Sequence, residues 1–426
     1  MKTYFFPEKT EWGEIVKRPT FDNSQLRDLV SGLLGQIREG GDAVLRELEQ
    51  KFDHCTLSDL KVSAEEFDEA RRAIAPELAQ AIDRAYENIA KFHASQRHAH
   101  DKVETQPGVL CWQKDIAIER VGLYVPGGTA PLFSTVLMLA IPAKIAGCKT
   151  IVLCSPPNAE GKINPAILYA ASVAGVTDVF KVGGVQAIGA MAYGTESVPK
   201  VYKIFGPGNQ FVQMAKQLVS LRDVAIDMPA GPSEVCVVAD EAADPEYVAS
   251  DFLSQAEHGA DSQAILITDS EDLAKRFEVV MQAQLEKLKR QDLTRKSLEH
   301  SKVIVLRNQT DVMELVNEYA PEHLIINTRN YMALAAMVVN AGSVFLGPFS
   351  PESAGDYASG TNHTLPTNGY AKAYNGVNLD SYMRKVTFQE LSADGLRSLG
   401  PIIEVMAQNE QLDAHKNAVS VRLKKL

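Results

Sequence analysis

Four short stretches of the chain combine histidine with carboxylate or carboxamide side chains. They are SQAEHG at 254–259, PEH at 321–323, GDYASGTNH at 355–363 and NEQLDAHKN at 409–417, and together they contain four of the nine histidines. Zinc accepts both imidazole nitrogen and carboxylate oxygen as ligands. A histidine or glutamate that does not bind the metal could transfer protons near neutral pH. The four stretches therefore indicate a catalytic metal site assembled from distant parts of the chain.

Gln255 and His258 lie at the end of a predicted helix. Asp244 and Pro245 are typical of an N-cap and a first helical position, and Gly259 follows where many helices end. Residues three apart share one face of a helix, so both side chains could point at the same ion. A surface glutamine beside a capping histidine has the same spacing, and the pair alone favours that interpretation.

Glu322 and His323 follow Pro321 at the predicted junction between a helix and the strand HLIIN. A histidine with a pKa near neutrality is a suitable base for the proton of an alcohol, and a neighbouring glutamate can activate a water molecule that adds to an aldehyde. A capping glutamate and a histidine that begins a strand explain the sequence equally well.

These stretches also make the chain similar to the histidinol dehydrogenase family. The resemblance runs from about residue 20 to the C-terminus; ESAGDYASGTNHTLPT at 352–367 is specific to the family, and the shorter PEHL at 321–324 supports it. It implies a zinc- and NAD-dependent enzyme that oxidises L-histidinol through L-histidinal to L-histidine, a four-electron reaction that ends histidine biosynthesis. It further implies one substrate-positioning zinc ion per subunit, with the ligands Gln255, His258, Asp356 and His415.

The resemblance also implies how the remaining site residues act. His323 would accept the proton of the alcohol, and Glu322 would activate the water that attacks the aldehyde. His415 would come from the partner subunit, so the enzyme would be a homodimer with shared active sites. The residues that match substrate-contacting positions of the family are Ser233, Gln255, His258, His323, Asp356, His363, Glu410 and His415.

No GxGxxG fingerprint marks a nucleotide site. The nearest run, GPGNQF at 206–211, follows a predicted strand and opens a predicted helix, so its backbone amides could face a phosphate. The runs GLYVPGG at 122–128 and GGVQAIG at 183–189 lie at other strand ends, and by pattern alone a plain turn is the better interpretation of each run. By resemblance, Tyr124, Gln186 and Asn209 match NAD-contacting positions. The absent fingerprint predicts that NAD is bound loosely.

The fold class is predicted to be α/β. Apolar runs of strand length alternate with helical stretches, which is typical of parallel sheets with helices on both faces. Two series of runs predict two incomplete Rossmann-like domains, with small N- and C-terminal helical segments. The first 100 residues are predicted to be helical and include a capping-box pattern at Ser63-x-x-Glu66. The predicted strands are 121–125, 150–154, 178–182, 200–205, 235–239, 264–268, 302–306, 323–326 and 343–346.

We predict that the chain is divided into four parts. Residues 1–21 form an N-terminal tail segment, and residues 22–123 with 235–377 form a first Rossmann-like domain that carries most metal and catalytic residues. Residues 124–234 form a second, NAD-binding Rossmann-like domain. A long functional loop is predicted from 347 to about 380, and a small helical segment at 378–426 is predicted to pack on the partner subunit.

Composition excludes several classes of protein. The net charge of −11 argues against a nucleic-acid partner, and no run approaches the ~20 apolar residues of a membrane span. Five cysteines without a CxxC pair disfavour a zinc ribbon or a disulfide framework. We therefore expect a cytoplasmic enzyme that acts on a small molecule, without a membrane or nucleic-acid partner.

Three other functions are compatible with parts of the sequence. A related zinc and NAD dehydrogenase could act on another small polar alcohol or diol, although substitutions at Ser233, His363 or Glu410 would then be expected. A metal-dependent hydrolase could use a zinc-bound water, but glycine turns at successive strand ends favour a nucleotide enzyme. A binding or regulatory protein without catalysis is disfavoured by the pair Glu322 and His323.

Overall fold

The computed structural model describes residues 1–19, 24–127 and 131–426. Its strands form two parallel sheets and one antiparallel sheet. The strands are β1 (Lys2–Phe5), β2 (Val103–Gln106), β3 (Val109–Ala117), β4 (Arg120–Tyr124), β5 (Thr150–Ser155), β6 (Asp178–Lys181), β7 (Lys203–Phe205), β8 (Ala225–Ile226), β9 (Glu234–Ala239), β10 (Gln263–Thr268), β11 (Lys302–Val305), β12 (His323–Asn327), β13 (Ser343–Leu346) and β14 (Met383–Leu391).

Helices precede, separate and follow these strands. They are α1 (Trp12–Ile15), α2 (Ser24–Phe52), α3 (Ala64–Ala73), α4 (Pro76–Ala94), α5 (Phe133–Ala146), α6 (Pro165–Val173), α7 (Gly184–Tyr193), α8 (Gln210–Ser220), α9 (Pro245–Ala256), α10 (Glu271–Leu285), α11 (Gln291–His300), α12 (Gln309–Tyr319), α13 (Tyr331–Ala335), α14 (Glu352–Tyr357), α15 (Ala393–Asn409) and α16 (Asp413–Leu423), with 3-10 turns at Lys9–Glu11, Tyr370–Lys372 and Leu379–Tyr382. No helix in the described ranges combines the length and apolar character that crossing a lipid bilayer requires.

The five-stranded sheet has the order β6-β5-β4-β7-β8, and every pair is parallel. The chain proceeds from β4 through β5 to β6 on one side and then returns to β7 on the other side of β4. Ligands of such sheets bind beyond the carboxyl ends of the strands at this reversal. The carboxyl end of β4 is therefore the expected position of a ligand.

The six-stranded sheet has the order β1-β11-β10-β9-β12-β13 and is also entirely parallel. Strands β9, β10 and β12 are fully buried, as expected for strands covered by helices on both faces. The prediction of an α/β protein with two parallel sheets is confirmed. Residues 2–5, which we assigned to a tail, form the edge strand β1 because they pair with β11.

Helices α2, α3 and α4 pack on the helices that flank the five-stranded sheet: α2 lies against α7 and α8, α3 against α6, and α4 against α5 and α6. Ile37 of α2 lies in one buried cluster with Val182 and Ile188, and Ile82 of α4 lies in another with Leu123. We expected residues 22–123 to belong with 235–377, but the apolar faces of α2, α3 and α4 are buried against helices α5–α8, which flank the other sheet. The predicted boundary near residue 21 lies outside the described residues, and the division into domains otherwise stays a prediction.

The third sheet is antiparallel, with the order β14-β3-β2. Strand β14 pairs with all nine residues of β3, so our prediction that the chain is purely helical after residue 381 is wrong for Met383–Leu391. Helices α15 and α16 follow β14 and expose several large apolar side chains. These are Ile402, Val405, Met406, Leu412 and Val421.

Candidate active site

Most of the predicted site residues meet at the amino edge of the six-stranded sheet. His323 is the first residue of β12, and Glu322 directly precedes it. Gln255 lies in the last turn of α9, whose N-cap Asp244 accepts a hydrogen bond from the Glu246 backbone as the sequence predicted. Asp356 lies in α14, a short helix within the stretch that we predicted to be a loop.

The backbone of Glu234 holds both Glu322 and His323. Its N–H donates to Oε2 of Glu322 at 2.8 Å, and its carbonyl oxygen lies 3.2 Å from Nδ1 of His323. A carbonyl oxygen only accepts hydrogen bonds, so Nδ1 of His323 carries a hydrogen and donates it. The remaining ring nitrogen, Nε2, is therefore the atom through which His323 can exchange a proton with a substrate.

Glu234 is itself anchored by Arg18. The guanidinium donates to both carboxylate oxygens, at 2.6 and 2.8 Å, and also to the backbone oxygen of Tyr319 at 2.8 Å. It lies over the ring of Tyr319, with 4.1 Å between the guanidinium carbon and the ring centroid. A bidentate pair of this kind is rigid, so the start of β9 provides a fixed support for Glu322 and His323.

Carboxylates surround the imidazole of His323. Its Nε2 lies 3.2 Å from Oδ1 of Asp356, and its Nδ1 lies 3.6 Å from Oε2 of Glu322. Burial alone would lower the pKa of His323, but the charges of Glu322 and Asp356 outweigh burial and raise that pKa well above its ordinary value.

The side-chain amide of Gln255 lies between two carboxyl groups. Its Nε2 donates to Oε1 of Glu352 at 3.0 Å and lies 3.5 Å from Oδ2 of Asp356. Its Oε1 is buried and has no hydrogen-bond partner. Buried polar atoms without a partner are rare and require an explanation such as a bound ion. A buried amide oxygen without a partner fits a metal ligand.

His258 follows the end of α9 and is exposed, unlike the buried Gln255. Burial raises the pKa of Asp356, but neighbouring histidines hold it below its ordinary value. The hydrogen bond and the charge of His323 lower it most, and the charge of His258 lowers it less. No group of three His, Cys, Asp or Glu side chains in the described part of the chain is arranged to hold a metal ion. The assignment of Gln255, His258 and Asp356 as metal ligands stays a prediction.

Two of the predicted residues do not join this cluster. Glu410 is the C-cap of α15, His415 lies in α16, and both are exposed. Within the described ranges, neither side chain makes a hydrogen bond or ion pair with Gln255, His258 or Asp356. The predicted supply of His415 by a partner subunit stays a prediction.

His363 and Ser233 lie beside the cluster. Nδ1 of His363 donates to the backbone oxygen of Asp356 at 2.8 Å, and its Nε2 lies 3.0 Å from Oγ1 of Thr135. Ser233 immediately precedes Glu234, and its backbone oxygen accepts from the N–H of Gln263 at 3.1 Å. Their roles in substrate contact stay predictions.

A cavity of about 560 Å³ lies beyond the carboxyl edge of the five-stranded sheet. Its wall includes all three residues that we predicted to contact NAD, together with His258. Tyr124 ends β4, Gln186 lies in the first turn of α7, and Asn209 is the N-cap of α8. Gly127 from the glycine run 122–128 and Gly184 from the run 183–189 also line this cavity. Gly128 lies outside the described residues.

The third glycine run forms a tight turn after β7. Gly206 has a φ of 131°, and a Cβ atom there would come within 2.1 Å of the backbone oxygen of Tyr124. Its N–H donates to Asp227, and its carbonyl oxygen accepts from the buried Lys216. Glycine is therefore required for the close approach of the chain, and an ion pair fixes the turn that leads to Asn209.

The structure adds acidic residues that the sequence interpretation missed. Glu352 contacts Gln255 and lies one helical turn before Asp356 in α14. The four-residue spacing of the two acidic residues in ESAGD could have indicated that they share one face of a helix. Glu49 accepts from the N–H of Gly183 at 3.0 Å, and its neighbour Asp53 lines the cavity. Burial and the charge of Asp53 raise the pKa of Glu49 to about 8. Nothing in the sequence around Glu49 indicated this contact.

Comparisons with known proteins agree on one family. The family model described as Histidinol dehydrogenase matches residues 16–423. A histidinol dehydrogenase from Bacteroides fragilis (strain YCH46) is 62% identical over 426 residues, which is 100% of each chain. One from Vibrio parahaemolyticus is 51% identical over 97% of this chain and 95% of its own. A crystal structure of histidinol dehydrogenase from Elizabethkingia anophelis superimposes with a TM-score of 0.98 and 51% identity, covering 100% and 98% of the two chains.

Proposed function

Because the chain belongs to the histidinol dehydrogenase family, we propose that it oxidises L-histidinol through L-histidinal to L-histidine and reduces two NAD molecules in turn. Membership of the family makes it an oxidoreductase. We further propose that it works in the cytoplasm, in histidine biosynthesis, with zinc at Gln255, His258, Asp356 and the partner subunit's His415.

The observation that carries this proposal is the shared wall of the cavity. Tyr124, Gln186 and Asn209 line the same space as His258, so a nucleotide bound there would extend toward the proposed metal ligands. Arg290 also lines the cavity and provides a positive charge for a phosphate. Hydride transfer requires the nicotinamide and the alcohol carbon to meet, and this arrangement brings their proposed sites together.

In the first oxidation the substrate alcohol loses a hydride to NAD and a proton to Nε2 of His323. The hydrogen bond from Nδ1 to the Glu234 backbone holds the ring in the required orientation. His323 must be unprotonated at Nε2 to act as a base, which the charges of Glu322 and Asp356 oppose. When bound, zinc would supply positive charge beside Asp356 and coordination positions for the imidazole and amine of the substrate.

In the second oxidation water adds to the aldehyde, and the hydrate loses a second hydride. Glu322 is placed to accept a proton from the attacking water, since its carboxylate lies beside His323 and is fixed by the N–H of Glu234. Two hydrides leave the substrate and one water oxygen is gained, which balances the conversion of an alcohol into a carboxylate.

We also propose that the enzyme is a homodimer with shared active sites. The support is the exposed apolar surface of α15 and α16, the two helices on which Glu410 and His415 lie. Contiguous apolar surface of this kind marks interaction sites. The partial ligand set at Gln255, His258 and Asp356 lacks the donor that such a partner would bring.

The deciding experiment counts the NADH formed per L-histidinol consumed by the purified full-length protein. It is performed before chelation, after chelation, and after zinc is restored. We expect two NADH per substrate, loss of activity on chelation and recovery with zinc.

One NADH per substrate would contradict the second oxidation and the role of Glu322. No NADH from metal-replete protein would exclude L-histidinol as the substrate and favour another small polar alcohol or diol. Activity that survives complete removal of the metal would contradict the proposed role of zinc.

A further inference from the structure

The orientation of the Gln255 amide carries an inference beyond the four ligands. Two carboxyl groups, Glu352 and Asp356, lie within hydrogen-bond distance of its Nε2, and its Oε1 is buried without a partner. Exchanging the two amide atoms would place Oε1 against the oxygens of both carboxylates and lose the hydrogen bond that Nε2 donates to Glu352. An ionised Glu352 thus favours the orientation with Nε2 on the carboxyl groups.

We propose that Glu352 is a positioning residue of the metal site. It accepts a hydrogen bond from the amide nitrogen of Gln255 and thereby directs the amide oxygen of Gln255 at the ion. The inference rests on the proposed zinc-dependent function. Glutamine binds a metal through its carbonyl oxygen, because the amide nitrogen has no free electron pair to donate. A rotated Gln255 would present two N–H groups to the cation and weaken binding.

Glu352 is better suited to this task than Asp356. The distance from the amide nitrogen is 3.0 Å to Glu352 and 3.5 Å to Asp356, and Asp356 is itself a proposed ligand. The two side chains lie one turn apart in α14. Glu352 is 2% exposed and Gln255 is 1% exposed, so little water reaches the pair to replace the hydrogen bond.

Orientation of the Gln255 amide requires a hydrogen-bond acceptor at position 352 but not a negative charge there. A carboxylate, a protonated carboxyl group and an amide each provide an oxygen that can accept from Nε2 of Gln255. Outer partners of metal ligands typically contribute about 10–100-fold to metal affinity. The expected contribution of Glu352 is therefore measurable as a change in the zinc dissociation constant.

The test compares Glu352→Met with Glu352→Gln in the full-length protein. Methionine keeps the volume but removes the acceptor, whereas glutamine keeps an acceptor and removes only the charge. The zinc dissociation constant is measured by competition with a chromophoric chelator, and thermal unfolding verifies that each variant folds. We expect about a 10–100-fold weaker zinc affinity for Glu352→Met and an affinity close to that of the unmodified protein for Glu352→Gln.

A rescue variant separates orientation from general damage. A carboxylate has two equivalent oxygens and needs no orienting partner, so adding Gln255→Glu to Glu352→Met should restore zinc affinity. Glu352→Ala, which also lacks an acceptor, replaces Glu352→Met if the methionine variant does not fold.

Three results would overturn the inference. They are an unchanged affinity in Glu352→Met, an equal loss in Glu352→Met and Glu352→Gln, and failure of Gln255→Glu to restore binding. If the unmodified protein binds zinc and oxidises L-histidinol, each of these results leaves the proposed function intact. Absence of zinc binding in the unmodified protein would overturn both.

Discussion

At the scale of single residues, the proposed catalytic pair is held by backbone atoms of one neighbour. The N–H of Glu234 donates to the carboxylate of Glu322, and its carbonyl oxygen accepts from the imidazole of His323. Both contacts end on the side chains at 322 and 323. Substitutions that keep a similar size and a polar group at these positions should therefore change the chemistry with the least effect on the surrounding strands.

His323→Asn should reduce kcat by about 10²–10⁴-fold, because asparagine cannot accept the alcohol proton. The zinc content should be unchanged, since His323 is not among the proposed ligands. Steady-state kinetics and metal analysis measure the two effects, and His98→Asn, at an exposed position, is the control. Loss of zinc from the His323 variant would show that the residue is a ligand.

The carboxyl pair Glu49 and Asp53 should make stability depend on pH. Glu49 has a pKa of about 8 in the fold, above its ordinary value of 4.5. As pH rises from 4.5 toward 8 the unfolded chain ionises first, so the free energy of unfolding decreases over this window. Below 4.5 both states are protonated, and the contribution of Glu49 is fully present.

Urea unfolding of the unmodified protein and of Glu49→Gln at pH 5 and pH 8 measures this contribution. Glutamine keeps an acceptor for the N–H of Gly183 but cannot ionise. We expect the unmodified protein to lose more stability between the two pH values than the variant loses. Equal losses would mean that Glu49 ionises normally in the folded protein.

At the scale of elements, a buried ion pair shapes the turn between β7 and α8. Nζ of Lys216 lies 2.5 Å from Oδ1 of Asp227, and both side chains are 1% exposed. Both side chains bind the backbone of Gly206: Lys216 donates to its carbonyl oxygen, and Asp227 accepts from the N–H of Gly206. The pair therefore fixes the backbone that leads to Asn209 at the cavity wall.

Asp227→Asn should destabilise the protein by about 3–5 kcal/mol, because it leaves the buried charge of Lys216 without a counterion. Glu119→Gln is the matched control, since it breaks the exposed pair with Lys149 and should cost less than about 1 kcal/mol. Denaturant unfolding of both variants provides the comparison. Similar small losses would show that water or another group compensates for the missing carboxylate.

At the scale of the whole molecule, the proposed metal site draws on two chains. Gln255, His258 and Asp356 lie in or next to helices α9 and α14, whereas His415 lies on the exposed helix α16. A closed dimer with twofold symmetry would let each copy complete the site of the other. Activity should therefore depend on residues from two chains.

Complementation tests this dependence directly. Gln255→Ala and His415→Asn should each be inactive alone, and mixing them after dissociation and reassociation should restore activity. In an equal random mixture, half of the dimers contain one copy of each variant. Each of these mixed dimers has one intact site out of two, so about a quarter of the normal activity is expected. No recovery, with mixed dimers verified by mass, would place His415 in the site of its own chain.

The sequence by itself determined the elements whose causes are local. Continuous apolar runs gave the buried parallel strands β9, β10 and β12, and the capping box at Ser63 and Glu66 forms as its spacing predicted. Hydrogen bonds within a few residues and the period of apolar side chains can be deduced from neighbours in the chain. The family resemblance, carried by contiguous motifs, likewise did not require a fold.

Only the tertiary structure decided which elements meet. Strands β1 and β14 have no strong pattern of their own and exist because β11 and β3 offer them partners hundreds of residues away. Helices α2–α4 precede both parallel sheets in the chain, and their apolar faces are buried against helices α5–α8, which flank the five-stranded one. The contacts of Gln255 with Glu352 and of Gly183 with Glu49 span 97 and 134 residues. Such contacts depend on packing between distant segments, which local sequence patterns do not encode.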